Sequence, residues 1–311
     1  MSPAIVEKDF WVCWVLKKLF TAAHLKDRMV FKGGTTLSKV FRLIDRFSED
    51  IDLVLDWRLL GYGPELDDPE QALQSNSQRD RLNKQINAKA SQYIAGELLS
   101  RLNDLFCQVP GIVAAVDRDD AQSVNIGYPA AFKESYLRPE VRLEIGPLAS
   151  WVPSAPYTIR PFASEDFPQV FNDPSCPVIA ITAERTFWEK ATILHQQAHR
   201  TDTMPSRYSR HYYDLYKLAL SSVKDQALSN LNLLENVVAF KQRFYPSAWS
   251  RYDLAQPGSF RLIPNQSHLG ELEKDYGEMH LMVFGEVPSF DAILRTLSTL
   301  EADINGGAKV H

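Results

Sequence analysis

Two aspartates two positions apart, Asp50 and Asp52, have the clearest capacity for chemistry in this chain. They lie in Ser48-Glu49-Asp50-Ile51-Asp52-Leu53-Val54-Leu55, where polar and apolar residues alternate before an apolar run. That pattern predicts a strand with one functional face. Residues two apart on a strand point the same way, so both carboxylates share that face. Two like charges so close repel unless a cation lies between them. Oxygen-only ligation suits Mg²⁺, which takes one or two carboxylates and completes its shell with substrate phosphates. Upstream stands Phe31-Lys32-Gly33-Gly34-Thr35-Thr36-Leu37-Ser38-Lys39. Met29-Val30-Phe31 reads as a short buried strand, and Thr35 to Leu43 as a helix. The diglycine between them allows close backbone approach, and the helix start offers free N–H groups to an anion. Gly33 and Gly34 are therefore the expected phosphate cradle, with Thr35 or Thr36 assisting. Glycines for phosphate, then carboxylates for metal, meet the needs of transfer from a nucleoside triphosphate (NTP). The plainer reading of Asp50 and Asp52, taken alone, is a solvated strand face.

A third acid is sought on a neighbouring strand. Glu140-Val141-Arg142-Leu143-Glu144-Ile145-Gly146 alternates strictly, which turns Val141, Leu143 and Ile145 to a core and the charged residues away from it. Glu144, between two apolar residues, is the expected third acid, either as metal ligand or as proton acceptor. An exposed Glu–Arg face is the alternative.

The second half is helical in pattern. Thr182 suits a cap for a helix to about Arg200, whose apolar stripe is Phe187, Ala191, Leu194 and Ala198. Lys190 falls inside it. A second helix runs from about Arg210 to Ser221 and carries Asp214, for which an i,i+3 pair with Lys217 is the ordinary role. His195 and His199 are i,i+4, but Gln196, Gln197 and Ala198 lie between them, so zinc fits less well than polar helix ends or RNA contacts. Residues 185–217 hold six Lys/Arg against three acids, interleaved with Tyr208, Tyr212, Tyr213 and Tyr216. Such a stretch can receive an RNA end through phosphate pairing and base stacking, or can pack its tyrosines in a core.

These residues need a frame. The chain has 311 residues, 45% hydrophobic and 23% charged, and a net charge of −5. That composition excludes a mostly disordered chain and any global basic footprint for nucleic acid. No run approaches 18 apolar residues, so no transmembrane helix and no membrane partner are expected. A start without a secretory pattern and three scattered cysteines point to the cytoplasm. The remaining pattern gives a helix over 3–20, a loop over 61–80, a helix over 82–107 and strands near 122–128 and 140–146. Pro-rich connections follow over 147–161 and 168–177. Residues 224–305 read as mainly helical with a break at 246–270, and Gly306-Gly307 as a loose tail. The fold class is α+β, a small mixed sheet first and a helical part second.

The glycine turn followed by an Asp-x-Asp strand resembles the nucleotidyltransferase superfamily. More closely, the chain is similar to the AbiEii/AbiGii toxin family. The resemblance is carried by Val6-Glu7-Lys8-Asp9-Phe10-Trp11, Phe31 to Lys39, the run Arg46 to Leu53, Glu189-Lys190-Ala191-Thr192-Ile193-Leu194-His195, and Arg207 to Leu218. It covers about two-thirds of the chain, and the last ninety residues carry no such motif. It implies a nucleotidyltransferase-like sheet with flanking helices over 1–165, and a helical domain over 166–311 that completes the active-site cleft. It implies Lys190 on the nucleotide phosphates with Asp214 supporting it. Arg46 and Ser48, which precede the acids, are expected to bind nucleotide or brace the loop. Glu144 and His211 stand where related chains often carry Asp. The implied activity is Mg²⁺-dependent transfer of a nucleotide from an NTP to RNA, with tRNA among the acceptors. The implied partner is an antitoxin, a small DNA-binding regulator. Two rival readings are a nucleotide-binding module without turnover and a small-molecule nucleotidyltransferase acting on an antibiotic.

Overall fold

A computed structural model describes residues 2–63, 68–70, 75–132, 134 and 137–306. The chain forms two compact units: Met1–Val40 with Ser48–Ile181, and Phe41–Phe47 with Thr182–His311. The division falls at Ile181/Thr182, later than the expected boundary at 165/166. The last strand of the first unit explains the difference, because its Ala180 pairs with Phe31 and so belongs to the sheet.

The first unit is built on seven strands: β1 (Met29–Lys32), β2 (Ile51–Leu55), β3 (Val113–Val116), β4 (Ser123–Gly127), β5 (Glu140–Gly146), β6 (Ser154–Ile159) and β7 (Cys176–Ile181). Their order is β3-β4-β5-β2-β1-β7-β6. β2 with β5 and β1 with β7 are parallel, and the other pairs are antiparallel. Helix α1 (Pro3–Thr21) starts on a proline, whose missing N–H costs nothing in a first turn. It buries Val12, Val15, Leu16 and Leu19 and packs on β7 and β5. Phe31, Leu53 and Leu143 are fully buried in this unit. Burial of each such side chain stabilises by roughly 1.5–3 kcal/mol.

α2 (Gly33–Lys39) is shorter than the expected helix to Leu43. It stops because the chain turns away, with Arg42 at φ 53°, to give residues 41–47 to the second unit. The expected loop over 61–80 lies partly outside the described residues. Its last residues instead open α3 (Asn76–Tyr93), with the Ser75 hydroxyl accepting from Gln78 N–H. A π-turn over Ile94–Leu98 joins α3 to α4 (Leu99–Phe106), so the expected helix of 82–107 carries one wide turn. α5 (Ala163–Asp166) is a single turn. β3 and β6 were not foreseen. Both are edge strands, and β6 tolerates Pro156 because an edge can spare one N–H.

The second unit is helical among its described residues: α6 (Ala183–Ala198), α7 (Ser209–Ala219), α8 (Val223–Leu228), α9 (Leu231–Phe244), α10 (Leu269–Met279) and α11 (Phe290–Gly306). The Thr182 hydroxyl caps α6 by accepting from Arg185 N–H. Gly306 closes α11 rather than opening a tail, and Gly307 lies outside the described residues. Residues 41–47 are pinned here by a bridge between Arg46 and Val283, by Phe47 N–H on the Met282 carbonyl at 2.7 Å, and by Lys217 on Asp45 at 2.7 Å.

His195 is fully buried, and both ring nitrogens are occupied. Nε2 lies 2.9 Å from the Arg251 carbonyl, and Nδ1 accepts from Arg261 N–H at 3.1 Å. The ring thus clamps two backbone segments, and neither nitrogen is left for zinc. Burial lowers its pKa to about 4, against the Arg251 carbonyl, which favours the charged form. Between pH 6.5 and 4 the unfolded histidine takes up a proton that the folded one refuses, so stability falls as pH falls through that window. Chemical unfolding of the wild type should show a loss of about 1–3 kcal/mol between pH 7 and 4.5, and His195→Gln a shallower one.

Candidate active site

In the first unit the site begins with register. Asp52 lies opposite Lys32 on β1 and opposite Glu144 on β5. Glu144 in turn lies opposite Ser123 on β4. Partners in register face the same way, so Lys32, Asp52, Glu144 and Ser123 form a row across four strands. Along β1 and β2 the row gives way to an apolar cluster of Val30 and Val54 with Ile181 of β7, and Trp151 and Ile179 pack against it. Asp50 immediately precedes β2.

Gly33 stands at the junction of β1 and α2 with φ +81°. A Cβ there would lie 2.0 Å from Asp52 Oδ2 and 2.6 Å from its Cγ. The Asp52 carboxylate therefore occupies the space that any other residue would fill. Left-handed φ and close approach both demand glycine at this position.

Thr35 and Thr36, expected to assist at phosphate, are fully buried and spent on the backbone. Thr35 Oγ1 lies 2.5 Å from the Asp50 carbonyl and 2.9 Å from Ser48 Oγ. Thr36 Oγ1 donates to the Gly33 carbonyl at 2.7 Å. Their work is to fix the turn and the backbone of Asp50. Ser48 is part of the same brace.

The opening run Glu7-Lys8-Asp9 has a structural purpose that its sequence did not reveal. Lys8 pairs with Glu49 and donates to the Arg138 carbonyl at 3.2 Å. Asp9 pairs with Lys39 at 2.6 Å and accepts from Phe162 N–H at 2.7 Å. Glu7 accepts from Ala131 and Phe132 N–H. α1 is thereby tied to both motif segments, at Lys39 and at Glu49.

Arg142 is the other residue that sequence reasoning passed over. Its guanidinium reaches Asp117 at 2.8 Å, Asp120 at 3.4 Å and Glu144 at 3.3 Å. Burial works against its charge, but Asp117, Glu144, Asp120 and Asp50 outweigh that and raise its pKa. The signal available in sequence was the i,i+2 spacing of Arg142 and Glu144. Among the described residues no three His, Cys, Asp or Glu side chains stand together as a ready metal cage. Asp50 and Asp52 offer an all-oxygen pair beside a side-chain-free turn. That chemistry fits a hard divalent cation that finishes its shell with water and phosphate oxygens.

The second unit gathers Arg46, Lys190, His211 and Asp214. Arg46 clasps Asp214 in a fork, Nε to Oδ1 at 2.7 Å and Nη2 to Oδ2 at 2.8 Å. Lys190 Nζ lies 2.9 Å from Asp214 Oδ2 and 3.0 Å from His211 Nδ1. Asp214 is fully buried, and Lys190 is buried, not a snorkelling surface residue. Lys217 turns to Asp45 and does not serve Asp214. Burial alone would raise the Asp214 pKa, but Arg46 and Lys190 outweigh it and hold the carboxyl far below its usual range. Burial pulls Lys190 below the usual lysine range, opposed by Asp214. Burial, then Lys190 and Arg210, keep His211 neutral well below its ordinary pKa. Tyr212 and Tyr213 are core residues with no exposure, whereas Tyr208 and Tyr216 stay half-buried.

Comparison with known proteins follows the same residues. The sequence model of the family described as Nucleotidyl transferase AbiEii toxin, Type IV TA system, matches residues 14–296. No curated protein matches the chain in sequence. Among solved structures, the chain is similar to MenT4, a nucleotidyltransferase toxin from Mycobacterium tuberculosis H37Rv, at 16% identity and a TM-score of 0.47, over 97% of this chain and 85% of that one. It is also similar to JHP933 from Helicobacter pylori at 17% identity and a TM-score of 0.40, over 99% of this chain and 100% of that one. Because the family match takes in every residue from the Gly33 turn to Asp214 and continues into α11, the chain belongs to the AbiEii nucleotidyltransferase toxins of type IV toxin–antitoxin systems.

Proposed function

We propose that this toxin uses Mg²⁺ to transfer a nucleotide from an NTP to an RNA acceptor, tRNA being the fitting class, in the cytoplasm. The observation that carries the reading is the Asp52 carboxylate laid against Gly33, with Glu144 in register beside it. Gly33 and Gly34 leave the turn bare for phosphate oxygens. Asp50 and Asp52 would hold Mg²⁺, with Glu144 completing the acidic row. When bound, the ion supplies counter-charge for the phosphates and for the leaving pyrophosphate. The acceptor hydroxyl attacks the α-phosphorus, the bond to pyrophosphate breaks, and the hydroxyl proton passes to a carboxylate of the row. Lys190, oriented by Asp214, would take up part of the triphosphate charge. The basic surplus over 185–217, with Tyr208 and Tyr216 still accessible, supports an RNA end as acceptor. No helix among the described residues is long and apolar enough to cross a membrane. The type IV system supplies an antitoxin partner, read here as a DNA-binding regulator encoded beside the toxin.

The test is incubation of the purified chain with each labelled NTP, Mg²⁺ and total RNA, followed by gel analysis. Label in an RNA band, dependent on Mg²⁺ and on one NTP, is expected. Label only on an added aminoglycoside would select the small-molecule reading instead, and NTP binding without pyrophosphate release the binding module. In cells, the wild-type chain should slow growth and Asp52→Ala should not.

Gly33→Ala should be costly at a single methyl. The left-handed φ costs about 1–2 kcal/mol of stability for a non-glycine residue. The methyl also displaces the Asp52 carboxylate, and a misplacement of about 1 Å costs roughly 100-fold in rate. Initial-rate assays and thermal melts of the Gly33→Ala chain check both values.

A further inference from the structure

Glu144 has the position of a metal ligand without the company of one. Its strand places it beside Asp52, and nothing in the register keeps it from joining Asp50 and Asp52. Its carboxylate is nonetheless engaged by Arg142 Nε at 3.3 Å. Arg142 and Glu144 are two apart on β5, so the pleat sets them on one face. The far edge of the guanidinium is anchored: Nη1 donates to Asp117 at 2.8 Å, and Nη2 to Ser123 Oγ at 3.0 Å and Asp120 at 3.4 Å. The anchors are themselves held, with Asn125 donating to Asp117 at 2.8 Å and Ser123 Oγ to Asp120 at 2.6 Å. A planar fork with five donors can serve all of these acceptors at once, which an ammonium cannot. Glu144 and Asp120 keep 45% and 46% of their side chains exposed, against 11% for Asp117, so Asp117 is the firm anchor and Glu144 the partner that can leave. An ion pair so open to solvent is weak and readily exchanged.

We propose that Arg142 is a positioning residue that holds Glu144 in an ion pair and out of the divalent-ion site, so that the resting ion is carried by Asp50 and Asp52 alone. When the nucleotide arrives, Glu144 leaves Arg142 Nε and joins the acidic row, while Arg142 stays on Asp117, Ser123 and Asp120. The inference rests on the proposed metal role of Asp50 and Asp52.

The test is Mn²⁺ affinity of the full chain without nucleotide, read by titration calorimetry. Wild type and Glu144→Gln should agree within about twofold, because Glu144 is not yet a ligand. Arg142→Gln should bind Mn²⁺ about three- to tenfold more tightly, chiefly because the Glu144 carboxylate is released to join the row. Arg142→Met, an independent removal of the same charge, should match it, with melts confirming that both variants are folded. In the Glu144→Gln background the gain should shrink to less than about twofold, a coupling that a double-mutant cycle isolates. A gain that survives in that background, or an unchanged affinity in both Arg142 variants, would overturn the inference alone. So would a loss of more than about fivefold in Glu144→Gln alone. Undiminished Mn²⁺ binding by Asp52→Asn would overturn the metal reading beneath it, and the inference with it.

Discussion

Asp52→Asn is expected to reduce nucleotide transfer by about 100-fold or more while leaving the melting temperature within about 2 °C of wild type. The amide keeps the shape of the carboxylate against Gly33, so the turn is undisturbed. What it loses is the charge. Asp50 alone then faces the cation, and the triphosphate arrives with too little counter-charge beside it. Stability should hold, because Asp52 and Glu144 are like charges directly across adjacent strands, and neutralising one relieves their repulsion. Initial rates at saturating Mg²⁺, paired with a thermal melt, measure both halves. A variant with normal turnover would remove the acidic pair from the mechanism.

Asp214→Asn should be the opposite kind of lesion, lowering the free energy of unfolding by about 3–5 kcal/mol. Its carboxylate is fully buried and is the shared counter-charge of Arg46 and Lys190. An amide leaves both cations buried without compensation. Lys217→Ala, which breaks the half-exposed pair with Asp45, serves as the control and should cost less than about 1 kcal/mol. The sign of the pH dependence follows from the depressed pKa of Asp214. A carboxyl held lower in the folded state than in the unfolded one stabilises fully above the unfolded value, near pH 4. That stabilisation drains away as pH falls towards the folded value. The wild type should therefore lose part of its advantage over Asp214→Asn between pH 4 and 2, as chemical unfolding at each pH would show. A neutral-pH loss below about 1 kcal/mol would contradict the buried-pair account.

Local pattern made much of this legible. Alternation in Glu140 to Gly146 located β5 and assigned Glu144 to the outward face, and register then put it next to Asp52. Thr182 and the stripe of α6 marked a helix start and its buried face correctly. The α+β class followed from their order. Non-local pairing was the hidden part. β3 and β6 are edge strands, short or interrupted by Pro156, and an edge needs little of the alternation that betrays a central strand. Arg46 and Asp214 are 168 residues apart, so no window of sequence reveals their fork. Thr35 and Thr36 have the residue type of phosphate binders, yet burial turned their hydroxyls to backbone carbonyls. The partners of Lys8, Asp9 and Arg142 lie on other elements, so local pattern gave no sign of their pairing.

Residues 41–47 leave the first unit and complete the second, and that order matters while the chain is being made. Arg46 emerges from the ribosome 168 residues ahead of Asp214. At about 5–20 residues per second, it waits roughly 10–30 s for the carboxylate it will clasp. A nascent chain that has already closed most of its sheet still lacks the Arg46–Asp214–Lys190 fastening. Premature termination anywhere before Asp214 therefore yields a product without it.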